Sequence, residues 1–305
     1  MTASIPPSID QARQDGTWQD RTWQDRTWQS ADGLTLHYRD YAGPEGGIPV
    51  LCLPGLTRNA RDFEGLARRL SPRWRVICPD MRGRGDSAYA KNSATYSPVQ
   101  YVADVNALLE QAEIGRFVSI GTSLGGLMTM ILAMIDAARI AGAVLNDVGP
   151  VIEPAGLERI RTYVGQGSTF PTWMHAARAL EEAHREAFPD YELSDWLTMA
   201  KRIMVLNSNG RIVYDYDMKI AEPFDKPGGE AGVDMWPGLM ALAGRPVLFL
   251  RGELSDILST DTLAEMARRL PQADVVQVPR VGHAPTLDEP EAADAIERLL
   301  AGVVG

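Results

Sequence analysis

The run Ser119-Ile120-Gly121-Thr122-Ser123-Leu124-Gly125-Gly126 constrains this chain more than any other. It places Gly-x-Ser-x-Gly between an apolar stretch holding Phe117, Val118 and Ile120 and a helix-forming run from Leu127 to Ile135. A strand, a very sharp turn and a helix are expected in that order. Such a turn forces Ser123 into a strained backbone conformation. Gly121 and Gly125, two residues to either side, remove the Cβ atoms that would collide with the returning chain. The hydroxyl is thereby pushed clear of the backbone at the positive end of a helix, where negative charge is stabilised.

The surroundings repeat this alternation. Asp32-Gly33 is a hairpin signal between Thr27–Ser30 and Leu34–Tyr41. Buried strands are expected at Pro49–Leu53, Arg75–Cys78, Arg116–Gly121 and Ile140–Leu145, with helices at about Ala60–Leu70 and from Ser97 or Pro98 to about Ala112. Continuous apolar strands alternating with helices imply a parallel sheet covered on both faces, with its site beyond the carboxyl ends of the strands. From about Gly149 to Ala243 the alternation stops. Helices are expected at Glu153–Val164, Thr172–Ala187 and Ser194–Val205, followed by a Pro/Gly-rich stretch. It resumes with Pro246–Leu250, Thr260–Leu270, Asp274–Val278 and Glu289–Ala301, Asp288 being placed to cap the last helix. The division expected is a leader over 1–26, a core over 27–148 and 244–305, and a helical insertion over 149–243.

A serine hydroxyl is a poor nucleophile at neutral pH; it needs a base, and the base needs an orienting group. The chain has four histidines. His37 lies in a hairpin strand, and His175 and His184 lie in the insertion. His283 follows the last strand in Val281-Gly282-His283-Ala284-Pro285 and is the expected base. The orienting acid is expected in another strand-end loop. Asp256, in the loop after Val247–Leu250, is the choice, with Glu253 in the same loop and Asp147 after Leu145 as competitors. Two N–H groups must face a developing oxyanion. Leu124, after the serine, supplies one; Leu56, in the loop after Leu53, is nominated for the other, with Arg58 and Asn59 near enough to assist.

On the Gly-x-Ser-x-Gly element, the chain order Ser123, Asp256, His283 and the loop Asp80-Met81-Arg82-Gly83-Arg84-Gly85-Asp86-Ser87, the sequence resembles the α/β-hydrolase superfamily. The likeness covers about Leu34–Gly149 and Arg245 to the C-terminus. It implies an α/β fold with a mostly parallel eight-stranded sheet, helices on both faces and a helical cap as the insertion. It also implies a scaffold role for Asp80 and Arg82. Many relatives carry His-Gly where this chain has Pro54-Gly55, which keeps the backbone donor and loses a histidine hydrogen bond.

The resemblance implies acyl transfer to water, with cleavage of a carboxylic ester or lactone as the first expectation and neither a metal nor an organic cofactor required. Peroxide-forming and acyl-transferring relatives share the serine triad. So do hydrolases of the carbon–carbon bond in dienoic ring-fission products, the alternative reading. Epoxide hydrolases and haloalkane dehalogenases place an aspartate at the elbow and are disfavoured. From another class, a non-catalytic small-molecule binder would use the same scaffold. Trp173, Trp196, Trp236 and Met199 of the insertion are expected to wall an apolar substrate site.

Composition narrows the partners. A net charge of −10 disfavours nucleic acid and anionic membranes. The longest apolar stretch, Leu124–Ile135, is shorter than the roughly 20 residues a membrane span takes. Two cysteines, Cys52 and Cys78, in strand-like runs read as buried thiols, and a soluble, cytoplasmic protein is expected. Nothing in the sequence bears on oligomeric state. Thr17-Trp18-Gln19-Asp20-Arg21 recurs as Thr22–Arg26 and, in part, as Thr27–Ser30. This five-residue period reads as a tandem duplication in a poorly ordered leader, or as tryptophans docking on a neighbouring surface.

Overall fold

The apolar strand runs assemble into one eight-stranded sheet. The computed structural model describes residues 22–224 and 234–303. The strands are β1 Gln24–Gln29, β2 Thr35–Tyr41, β3 Val50–Leu53, β4 Val76–Pro79, β5 Phe117–Thr122 and β6 Ile140–Asn146; after the insertion come β10 Val247–Gly252 and β11 Asp274–Val278. Their order is β1-β2-β4-β3-β5-β6-β10-β11. β2 runs antiparallel to both of its neighbours, and every other pairing is parallel. β3, β4, β6 and β10 are buried at every residue, as strands covered on both faces must be.

Alternation along the strands splits the core into two layers. Leu51, Leu53 and Phe249 face the helices Pro98–Gln111, Leu124–Asp136 and Thr260–Arg269. Val50, Cys52, Leu248 and Leu250 face Glu64–Leu70 and Pro290–Val303. The second layer runs on into the insertion through Ala176, Leu180, Trp196 and Ala200, so the insertion helices Trp173–His184 and Leu193–Ile203 share the apolar layer of the sheet. No helix among the described residues is long and apolar enough to cross a membrane.

Three local expectations are corrected. The insertion is not all helix: β7 Thr169–Phe170, β8 Met204–Leu206 and β9 Ile212–Tyr214 form a small antiparallel sheet in the order β7-β9-β8. The third expected helix therefore ends at Ile203, because Met204 and Val205 pair with β9. Asp288 does not cap the last helix; its carboxylate is taken by Arg202 of the insertion.

The repeat also behaves differently. Residues 1–21 of the expected leader lie outside the described residues, but β1 starts at Gln24, before the expected boundary, and uses parts of two copies. Five is an odd number, so in an extended chain the two tryptophans face opposite sides of the sheet. Trp28 is 2% exposed and donates its indole N–H to the Asp104 carbonyl at 2.8 Å. Trp23 turns the other way, against Tyr41 and under the Arg39 guanidinium, 4.2 Å from the ring centre. Both dock on their own sheet, and burying a large apolar side chain such as Trp28 contributes about 1.5–3 kcal/mol.

Candidate active site

The elbow is built by close approach. β5 ends at Thr122, the helix begins at Leu124, and Ser123 between them has φ 52° and ψ −116°. A Cβ on Gly121 would lie 2.4 Å from the Gly125 carbonyl, and one on Gly125 would lie 2.0 Å from the Leu53 carbonyl oxygen. Only glycine fits either position, and the strained serine is held by the chain around it. The Ser123 N–H donates to the Asn146 carbonyl at 3.0 Å, tying the elbow to the end of β6.

His283 arrives from the loop after β11. Its Nε2 lies 2.9 Å from Ser123 Oγ, and its Nδ1 lies 2.7 Å from Oδ2 of Asp147. The acid beside the histidine is therefore Asp147 and not Asp256. Asp147 is fully buried, directly after β6, with φ 56°. Its Oδ1 accepts from the Gly252 N–H at 2.8 Å and its Oδ2 from the Ser255 hydroxyl at 2.7 Å. The last residue of β10 and the loop after it, where the acid was expected, supply these two donors instead. Strand order gives the reason: β6 lies between β5 and β10, so its end is one strand nearer to Ser123.

Asp256 accepts from Arg159 Nε at 2.5 Å and Nη2 at 2.8 Å. Its carboxyl sits below the ordinary value: burial raises it, but the Arg159 hydrogen bonds and charge, with His283 nearby, outweigh burial. Glu253 is exposed and accepts from the Arg280 backbone N–H at 2.7 Å. Asn146 was missed by the sequence reading. Its Nδ2 donates to Thr122 Oγ1 at 3.0 Å and to the Pro285 carbonyl at 2.9 Å, clamping the elbow to the histidine loop.

Leu56 lines the cleft over Ser123, and Leu124 is the first residue of the helix that follows the serine. Among the described residues neither N–H is spent on another protein group. Arg84, fully buried, donates from Nε and Nη2 to the Leu56 carbonyl at 2.9 and 2.7 Å and so fixes the strand-end loop. Asp80 supports the same segment by accepting from the Ala60 N–H at 2.6 Å, and Arg82 pairs with Asp104 and Asp32. Asn59 faces away, toward Asp215 of the insertion, whereas Arg58 lines the cleft. His37, Asp80 and Asp86 bring possible metal-ligand atoms within 4.8 Å of one another. The Asp80 oxygens there are occupied by the Ala60 and Asp86 N–H groups and by His37.

The cleft over Ser123 lies between the strand-end loops and the insertion and has a cavity volume of about 120 Å³. Met199 lines it, together with Ile203 from the same helix. Trp173, Trp196 and Trp236 do not. Trp196 is 1% exposed and packs on Phe188 and Tyr191, Trp173 packs on the same apolar layer, and Trp236 sits under Arg269, whose guanidinium is 4.0 Å from the ring centre. The large rings hold the insertion to the core. The wall is built instead from one face of the helix Pro154–Tyr163, which presents Arg159, Ile160 and Tyr163, and from His184 and Phe188. Their i, i+4 spacing was the available signal. His184 is pushed down to about 4, first by burial and then by the charges of Arg159 and Arg58, so its ring is neutral at neutral pH.

The family model described as the alpha/beta hydrolase fold matches residues 48–290. A crystal structure of an alpha/beta hydrolase from Novosphingobium aromaticivorans superposes with a TM-score of 0.89 at 64% identity, covering 92% of this chain and 98% of that one. A 3-hydroxybutyrate-oligomer hydrolase from Cupriavidus necator is 35% identical over 83% of this chain and 88% of its own length. A 2-(acetamidomethylene)succinate hydrolase from Mesorhizobium japonicum is 27% identical over 82% and 85%.

Proposed function

We propose that this chain, which belongs to the alpha/beta hydrolase fold family, cleaves carboxylic esters of small hydroxy acids through an acyl-enzyme on Ser123. One observation carries the reading: the relay from Ser123 Oγ to His283 Nε2 at 2.9 Å and from His283 Nδ1 to buried Asp147 at 2.7 Å. The likeness to an ester-cleaving 3-hydroxybutyrate-oligomer hydrolase supports the ester and the hydroxy acid.

In this mechanism Ser123 Oγ attacks the ester carbonyl while its proton passes to His283 Nε2. Asp147 holds the imidazole with Nδ1–H toward itself and stabilises the imidazolium. The oxyanion is received by the N–H groups of Leu56 and Leu124, each worth about 3 kcal/mol of transition-state stabilisation. The tetrahedral centre collapses, the C–O bond breaks, and the alcohol leaves with the proton from His283. Water then attacks the acyl-serine as His283 takes its proton; the bond from the acyl carbon to Oγ breaks, His283 returns the proton to Ser123 Oγ, and the acid departs. The Ile160, Val164, Met199 and Ile203 side chains of the cleft accommodate the carbon skeleton.

Ser123→Ala tests the reading. Hydrolysis of a 3-hydroxybutyrate dimer should fall by on the order of 10⁶-fold in kcat, and labelling by a fluorophosphonate should vanish while the fold is kept. Substantial turnover by that variant would sink the assignment. Offering a dienoic ring-fission product alongside the dimer separates ester from carbon–carbon cleavage.

A further inference from the structure

Two arginines stand in the wall of the cleft, and the acyl-transfer steps use neither. Arg58 follows the loop that carries Leu56. An ideal Cβ on Gly55 would lie 3.3 Å from Arg58 Cγ and 3.8 Å from Ser123 Cβ, so the stem of Arg58 and the nucleophile flank the same glycine. Arg159 comes from the insertion helix Pro154–Tyr163 and lines the same cleft, with Tyr163 in hydrogen-bonding range. Each guanidinium is pinned in one orientation by a carboxylate. Arg58 gives Nε and Nη2 to Asp62 at 2.6 Å each, and Arg159 gives the same two nitrogens to Asp256. Among the described residues the Arg58 Nη1 group makes no hydrogen bond, and the Arg159 guanidinium has Tyr163 beside it.

Purely structural pairs in this molecule look different. Arg82 and Asp104 are both 0% exposed and close on one another inside the core. Arg58 and Arg159 remain 24% and 33% exposed, facing the cleft. Their aspartates cancel much of the net charge. His184 in the same wall makes no ring hydrogen bond among the described residues and lies edge-on to Tyr163; burial first, and then the charges of Arg159 and Arg58, disfavour its charged form. Fixed guanidinium edges in a partly desolvated wall are suited to a carboxylate, which accepts two hydrogen bonds in a plane.

We propose that Arg58 and Arg159 form a carboxylate-reading subsite, so that the favoured substrate carries a free carboxylate besides the ester that is cleaved. This rests on the serine ester hydrolase reading for its scissile bond but can be tested apart from it. Two pairs of probes differ only in charge: 3-butyryloxybutanoate against 3-butyryloxybutanamide, with the carboxylate on the alcohol portion, and monobutyl succinate against butyl succinamate, with it on the acyl portion. Calorimetric binding to the Ser123→Ala protein needs no turnover. The carboxylate member of at least one pair should bind at least tenfold more tightly than its amide, and the pair that does so tells which portion is read. Arg58→Gln and Arg159→Gln should each remove most of that advantage, and Arg159→Lys should retain part of it. Equal binding within both pairs, or an advantage that survives both glutamine substitutions, overturns the subsite. If the preference is present but the wild-type protein cleaves none of the four probes, the subsite stands and the ester hydrolase reading falls.

Discussion

Asp147 and Asp256 are the same residue type in neighbouring strand-end loops, and they have opposite surroundings. Asp147 is fully buried and meets donors that carry no fixed charge: a backbone N–H, a hydroxyl and an imidazole. Asp256 keeps 35% of its side chain exposed and is held by one guanidinium. A buried carboxylate satisfied by neutral donors keeps its charge for the histidine it orients. A carboxylate engaged by arginine has already spent most of its field. An acid suited to stabilise an imidazolium is thus recognised by what else it touches, and chain order alone does not decide it.

The sharpest way to break this contrast is to remove each charge in turn. Asp147→Asn should lower kcat by about 10³–10⁴-fold, because the amide favours the wrong imidazole tautomer; steady-state kinetics on a hydroxy-acid ester reads it. Asp256→Asn should leave kcat within about threefold and act on KM, by up to about tenfold, through the loosened Arg159. If the two variants exchange these phenotypes, the assignment of the acid is inverted. The smallest effect reads the field directly. His184 titrates near 4, against an ordinary value of 6.5, because burial and the two arginines disfavour its charged form. The unfolded chain takes up that proton first, so this residue subtracts stability as the pH falls from about 6.5 toward 4 and subtracts nothing above. Asp256→Asn leaves Arg159 uncompensated and should lower the His184 titration further, whereas Asp147→Asn should not. Ring proton shifts followed by NMR across that window would distinguish the two.

What the sequence made legible was local. Gly121, Ser123 and Gly125 announce a turn by steric need within five residues, and His283 stands in a tight loop after a recognisable strand. The partner of His283 was not legible, since it depends on β6 lying between β5 and β10, an order that no window of residues carries. The apolar bias of the insertion was read, but not its direction. Trp196 is turned inward to Phe188 and Tyr191, while the wall is made by Ile160 and Tyr163, whose helix was expected without an assigned face. Strands of two or three residues such as β7, β8 and β9 are too short to show an alternation, so a small sheet passed for helix and loop.

The doubled edge strand has a consequence of its own. Thr22-Trp23-Gln24 and Thr27-Trp28-Gln29 are identical, so sliding β1 along β2 by one whole copy would return the same side chains to the same seats. The copies part at Asp25 against Ser30. The Ser30 hydroxyl accepts from the Leu34 N–H and donates to Asp32, where a carboxylate in its place would confront Asp32 with like charge. A slip of one copy would also add five residues to the short connection around Asp32-Gly33, so that turn and the Ser30 hydroxyl together hold the outermost ribbon of the molecule in one alignment despite its duplicated sequence.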